Sequence, residues 1–166
     1  MIREVVFKSF SRKLSKMLED FIEVNELKAE LIKLEKPAYS LKNALKELKC
    51  SFSEFISVKL FLDSIQEPFL IIFLASDKLD ETKAKKLVNV KFFLEASPNE
   101  ALEITGYEEG LIPPVSVYGI KTIMDKKIEG KEFVFSPAGK ENLFLKISPK
   151  EIIESNEGMI VAEIVK

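Results

Sequence analysis

The chain has no histidine in 166 residues and a single cysteine. Triads that use an imidazole base are therefore excluded, and no His/Cys cluster exists to hold zinc. Cys50 has no second cysteine with which to form an internal disulfide, and without a histidine beside it nothing activates it as a nucleophile. It reads as a small apolar filler after a helix. No stretch approaches the roughly 18 uncharged apolar residues of a membrane span. The longest apolar run, Phe69 to Ala75, has the length of one buried strand. The N-terminus scatters Arg3, Glu4 and Lys8 among apolar residues and lacks the ordered charge, core and cleavage regions of a secretory signal, so a cytoplasmic protein is expected. Net positive charge is missing too. Twenty-five basic residues against 27 acidic ones leave −2, which rules out bulk attraction to a polyanion and requires any nucleic acid to meet a local basic patch. No repeat, low-complexity segment or linker interrupts the chain, and 166 residues suffice for one domain with its own core, expected over 1–166.

What is present reads as alternating helices and strands. Phe7, Phe10, Leu14, Met17, Leu18, Phe21 and Ile22 follow a helical stripe, predicting an amphipathic helix over about 6–22, within an N-terminal segment 1–24. Leu31 to Leu34 form a strand stopped at Lys36-Pro37, and Ser40 caps a helix through Lys49 whose face is Leu41, Ala44, Leu45 and Leu48. Two strands, Phe55–Asp63 and Pro68–Ser76, flank a hairpin at Asp63–Glu67. Asp80 caps a helix burying Ala84, Leu87 and Val88, Val90–Leu94 returns as strand, and Ser97-Pro98 opens a helix that stops at Thr105-Gly106. Strands follow near Lys121–Met124, Glu132–Phe135 and Leu143–Ile147, then a helix after Ser148-Pro149 and a last strand over Met159–Val165. These elements predict an α+β fold with a mixed, largely antiparallel sheet.

Three features invite chemistry, and each has a plain alternative. Lys59 interrupts an apolar strand on the face of Ser57 and Phe61, so it either lies on a solvated face or points into a site. Gly110-Leu-Ile-Pro113-Pro114 is either a stiff crossover or a preorganised loop presenting backbone groups to a small acyl ligand. Ser136-Pro-Ala-Gly139 is either a hairpin or a small-residue turn that lets a ligand approach the backbone. Asp125, followed by Lys126 and Lys127, reads more naturally as a turn residue than as a catalytic acid.

Taken in order, Lys36-Pro37, Val58-Lys59, Ser76-Asp77-Lys78, Thr105-Gly106-Tyr107, Gly110-Leu-Ile-Pro113-Pro114, Gly139-Lys-Glu-Asn142 and Ser148-Pro-Lys-Glu-Ile152 give the chain a resemblance. It resembles the YbaK-like family of free-standing aminoacyl-tRNA deacylases, which is related to the editing domain of bacterial prolyl-tRNA synthetase. The resemblance spans roughly residues 30 to 165 and implies a mixed α+β domain around a curved, mostly antiparallel, barrel-like sheet. It also implies hydrolysis of the ester joining a wrong amino acid to the 3′ end of a tRNA, with prolyl-tRNA carrying cysteine, alanine, serine or threonine as the substrate class. No metal and no cofactor are implied, and a substrate group, the ribose 2′-hydroxyl or a cysteinyl thiol, would assist. By this resemblance Lys59 binds the terminal nucleotide and orients the ester. Gly110, Ile112, Pro113 and Pro114 form the amino-acid pocket, with Asp125 and Gly139 as its neighbours. The partners implied are the 3′ end of aminoacyl-tRNA and a synthetase, with no membrane. Two basic groups, Lys8, Arg12, Lys13 and Lys16, or Lys83, Lys85 and Lys86, are the candidate steering patches for tRNA. Pro137 and Ala138 depart from the glycine-rich turn common in the family, which leaves room for a non-catalytic binding module on the same fold. A protein-interaction domain built on the N-terminal helix is the third reading.

Overall fold

A computed structural model describes residues 17–166, and in it the alternating patterns resolve into two sheets that share one seam. The expected N-terminal helix is seen as α1 over 17–24, anchored by the fully buried Leu18; its part before residue 17, with Lys8, Arg12, Lys13 and Lys16, lies outside the described residues. The smaller sheet is antiparallel in the order β1 (Glu30–Lys33), β7 (Leu143–Ile147), β6 (Val134–Pro137). The larger runs β4 (Leu94–Glu95), β2 (Ile56–Leu62), β3 (Pro68–Leu74), β5 (Lys121–Asp125), β8 (Ile160–Ala162). Its β4–β2–β3 part is antiparallel, whereas β3–β5 and β5–β8 are parallel. A parallel bridge from Phe55 to Phe135 links the sheets. Among the described residues no closed barrel forms, so the barrel-like expectation becomes two sheets meeting at one edge. Closure fails because the outer edge of β2 turns from Phe135 at its start to β4 at its end.

The apolar character of β3 follows from its place. Side chains alternate across a strand, and Leu70, Ile72 and Leu74 enter one core while Phe69, Ile71 and Phe73 enter another on the opposite face. Both faces being covered, no polar position is left in the strand. Asp63 sets the β2–β3 hairpin: its N–H donates to the Glu67 carbonyl at 3.1 Å, while its carboxylate accepts from the N–H groups of Ile65 and Glu67 at 3.0 and 2.8 Å.

Helices start where the capping chemistry predicts. Ser40 accepts from Asn43 N–H to open α2 (Leu41–Leu48), and Asp80 opens α3 (Glu81–Leu87). Ser97 and Glu100 form a reciprocal capping box at α4 (Pro98–Thr105), which Gly106 ends at φ 81°. A four-residue α5 (Lys126–Glu129) follows β5, and Ser148 opens α6 (Pro149–Ser155). Among the described residues no helix is long and apolar enough to cross a membrane.

Several boundaries differ from expectation. Of the strand expected at Val90–Leu94 only Leu94 pairs, opposite Leu62, and β4 continues to Glu95, opposite Phe61. The segment before it sinks Phe93 between Phe61 and Phe69, at centroid separations of 5.8 and 5.2 Å, and core packing there replaces a ladder. Leu87 is exposed because Ala84 and Val88, four apart, take the face of α3 that meets the sheet. The sixth strand begins at Val134 and runs on to Pro137, which an outer strand tolerates. The last strand shortens to three residues, with Ile164 and Val165 buried beyond it.

Asp125 is a buried clasp. One carboxylate oxygen accepts the N–H of Ile164 at 3.0 Å and the other that of Lys127 at 3.1 Å, so this side chain starts α5 and ties the C-terminal segment to β5. Asp125→Ala leaves two N–H groups without a partner and is expected to lower unfolding stability by about 2–4 kcal/mol, read as a shift in the urea midpoint.

Candidate functional site

An antiparallel ladder alternates which residues bond to a given neighbour. In the β2–β3 register the hydrogen bonds from Asp63 N–H to Glu67 O and from Ala75 N–H to Phe55 O mark the bonded pairs. Ser57, Lys59 and Phe61 therefore spend their backbone groups on β3, while Ile56, Val58, Leu60 and Leu62 direct theirs to the outer edge. There Phe55 bridges Phe135, the Ala96 N–H donates to the Leu60 carbonyl at 2.9 Å, and β4 pairs with Phe61 and Leu62. Between these contacts the Val58 backbone faces an apolar cavity of about 340 Å³.

This cavity gathers parts that are far apart in the sequence. Leu41 and Ala44 of α2, Phe144 of β7, and Gly110, Leu111 and Ile112 line it, with the exposed Lys59 and Glu95 at its rim. The lysine is half exposed, and its Nζ lies 3.6 Å from Glu95 Oε1. Both side chains also border a second, more polar cavity of about 430 Å³ lined by Asp77, Lys78 and Asp80, so the ion pair stands between the two. Lys59 thus presents a half-exposed ammonium and also lines the cavity.

The Gly/Pro loop divides its work. Gly110, at φ 80°, turns the chain so that Gly110 to Ile112 face the cavity. Pro113 and Pro114 are buried and do not line it. The Pro114 carbonyl accepts from the Asn156 side-chain amide at 2.9 Å, and the same amide group donates to Ile152 O at 2.7 Å, so the prolines fix the loop to α6 from behind.

The small-residue turn joins the same assembly without opening a path to solvent. Ala138 and Ser136 are fully buried, Pro137 lines the cavity, and the Ser136 hydroxyl donates to the Pro137 carbonyl at 2.9 Å. The Gly139 N–H donates to Leu111 O at 2.9 Å, which couples this turn to the loop across 28 residues (139 minus 111). Gly139 itself does not line the cavity. Its φ is +92°, and a Cβ there would meet the Tyr107 ring at 3.1 and 3.2 Å. Tyr107 is fully buried, donates its backbone N–H to Thr105 Oγ1 at 3.0 Å and its hydroxyl to Ser116 Oγ at 3.3 Å. Burial raises its phenol above the ordinary value, the Ser116 bond opposing weakly, so it stays neutral. The Thr-Gly-Tyr element is thus a peg under both loops.

Asp125 is held by Ile164 and Lys127 and is not brought to the cavity. Neither are the α3 lysines; the Lys83 ammonium donates to the Val165 carbonyl at 2.9 Å. Glu95, Glu109 and Glu141 line the cavity without any signal in the sequence spacing, because only the pairing of β4 opposite Phe61 and the return of two loops bring them there. Among the described residues no group of three or more His, Cys, Asp or Glu side chains converges on a metal position. Cys50 is half-buried and outside the cavity; burial, helped by Glu54, pushes its thiol up to about 11.

Two outcomes follow from this geometry. Gly139→Ala meets both positive φ and the Tyr107 ring and is expected to cost about 2–4 kcal/mol, whereas Gly110→Ala, with open space around its Cβ, costs only about 1–2 kcal/mol of backbone strain; paired denaturation curves test the order. Cys50 is expected to react with iodoacetamide slowly at pH 7–8 and faster only as pH climbs toward 11, as mass spectrometry of the alkylated chain would report.

The model of the family described as Aminoacyl-tRNA editing domain matches residues 35–154. The chain is 23% identical over 138 residues to YwhH of Bacillus subtilis (strain 168), an uncharacterized protein, across 82% of this chain and 87% of that one. The solved structure of hypothetical protein APE2540 superposes with a TM-score of 0.83 at 27% identity, covering 90% of this chain and 99% of that chain. A proposed trans-editing enzyme for prolyl tRNA synthetase superposes at 0.81 with 21% identity, covering 92% and 97%, a likeness that carries the fold alone.

Proposed function

The chain belongs to the aminoacyl-tRNA editing domain family, and we propose that it is a trans-editing hydrolase that removes the amino acid from mischarged tRNA. The observation that carries this reading is the convergence of Lys59 and the Gly110–Ile112 backbone on one small apolar cavity. The substrate is an aminoacyl ester on the 3′ adenosine, with prolyl-tRNA bearing cysteine, alanine, serine or threonine as the class. The whole chain, 1–166, acts as one editing domain in the cytoplasm, alone or beside a synthetase.

An aminoacyl ester is already activated, so positioning and charge stabilisation are the main requirements. The Lys59 ammonium engages ribose or phosphate oxygens of the terminal nucleotide and orients the ester over the cavity. The Leu111 backbone is spent on Glu108 O and Gly139 N–H, so the N–H groups of Gly110 and Ile112, with that of Val58, face the carbonyl as its oxygen gains charge. The side chain of the amino acid enters the apolar space beside Leu41, Ala44 and Phe144. The attacking water is assisted by the substrate's own 2′-hydroxyl or thiol, because no imidazole exists to activate Ser40 or Ser57, the serines that line the cavity. Pro113, Pro114 and Gly139 hold the wall in place from behind, and Asp125 supports the sheet.

Lys59→Ala is expected to lower deacylation by roughly 10²-fold or more, with an unchanged unfolding curve, on prolyl-tRNA charged with cysteine, alanine, serine or threonine. Unaltered turnover across that panel removes Lys59 from the mechanism. The filled Ser136–Gly139 turn favours a second reading, a non-catalytic module that holds a tRNA end; it requires salt-sensitive tRNA binding with no release of amino acid by the intact protein.

A further inference from the structure

Among the described residues the cavity lining carries one cation, Lys59, and three carboxylates, Glu95, Glu109 and Glu141. A net-negative lining attracts an ammonium group. Glu95 differs from the other two because it is already engaged with a cation. Its Cα stands opposite Phe61 in β4, which puts its side chain on the face of β2 that carries Lys59. The separation of 3.6 Å exceeds the roughly 2.7–2.9 Å of a charge-assisted hydrogen bond, and the two side chains are 44% and 42% exposed. A pair this long and this exposed is weak and exchanges readily.

We propose that Glu95 is a specificity residue that binds the α-ammonium of the aminoacyl ester, which replaces Lys59 as its partner while Lys59 turns to the oxygens of the terminal nucleotide. The inference rests on the deacylase reading for the identity of the ligand. The aminoacylated tRNA end carries a cation on the amino acid and anions on the nucleotide, and Lys59 with Glu95 carries the complementary charges across the same cavity mouth. Docking exchanges one loose pair within the protein for two between protein and substrate. An acyl group whose nitrogen is blocked brings no cation, so it leaves Glu95 beside Lys59 and gains neither contact in full. The site therefore selects aminoacyl esters over N-acylated or peptidyl esters.

The test uses amide-linked analogues, 3′-alanylamino-3′-deoxyadenosine and its N-acetyl form, which bind without turnover, together with deacylation of alanyl-tRNA and N-acetyl-alanyl-tRNA. The intact protein is expected to bind the free amine roughly tenfold more tightly than the acetylated form. Glu95→Gln is expected to lose that preference with little change in affinity for the acetylated analogue. Glu95→Asp restores part of the preference, and Glu109→Gln retains it. No preference in the intact protein, a full preference retained by Glu95→Gln, or a preference lost in Glu109→Gln instead overturns the assignment. Discrimination in binding without hydrolysis of any charged tRNA removes the deacylase reading and leaves Glu95 in its role, while hydrolysis with unaltered discrimination in Glu95→Gln does the reverse.

Discussion

The outer edge of β2 is the constraint on which the site depends. A strand has two hydrogen-bonding edges, and β3 fills one of them along the full length of β2. The other edge is shared, with Phe55 meeting Phe135 at its start and β4 meeting Phe61 and Leu62 at its end. Those partners belong to different sheets that diverge, and the interval between them remains as a cavity with backbone groups directed into it. A backbone N–H is a fixed donor that needs no rotamer to be set, so the gap supplies preorganised polarity inside apolar walls. On the proposed deacylase reading, the catalytic requirements of an activated ester are small enough for such a gap to meet.

Around that gap the loops are held from outside the cavity. Tyr107 sits beneath Gly139, the Gly139 N–H bonds Leu111, Tyr107 reaches Ser116, and Asn156 grips Pro114. Each contact lies on the far side of the wall that the cavity presents. Lining and support are thus separated: Gly110 to Ile112 line the cavity, and buried residues behind them determine where they stand. The Cα position of Glu95 is likewise set by strand pairing, while its carboxylate is left half exposed and free to change partner.

Elements whose start and stop rest on local chemistry were legible in the sequence. Ser40, Asp80, Ser97 and Ser148 each begin a helix, and the Asp63–Glu67 hairpin lies where its turn residues place it. The strand expected at Val90–Leu94 was misplaced because an apolar run cannot distinguish a ladder from a loop pressed onto a core, and Phe93 chose the core. Lys59 and Gly110 to Ile112 were legible as site candidates, since a lysine in an apolar strand and a Gly/Pro loop break their local patterns, and the family resemblance joined them. The orientation of Pro113 and Pro114 away from the cavity, the clasp made by Asp125 and the arrival of Glu95 at Lys59 depend on contacts between distant segments, which no local pattern encodes.

The double-sided burial of β3 has a consequence for the nascent chain. Phe69 to Leu74 is a run without a charge or an interior proline and with strong β preference, the composition that self-associates when left exposed. Its antiparallel partner precedes it by a five-residue turn, so pairing with β2 is a local event that closes quickly. The parallel partner β5 comes only at Lys121, and β8 only at Ile160. During synthesis one edge of this strand is therefore protected early while the other waits for about fifty further residues. Asp63 and Glu67 at the turn, and Asp77 and Lys78 beyond β3, stand as charged gatekeepers around the interval of greatest risk.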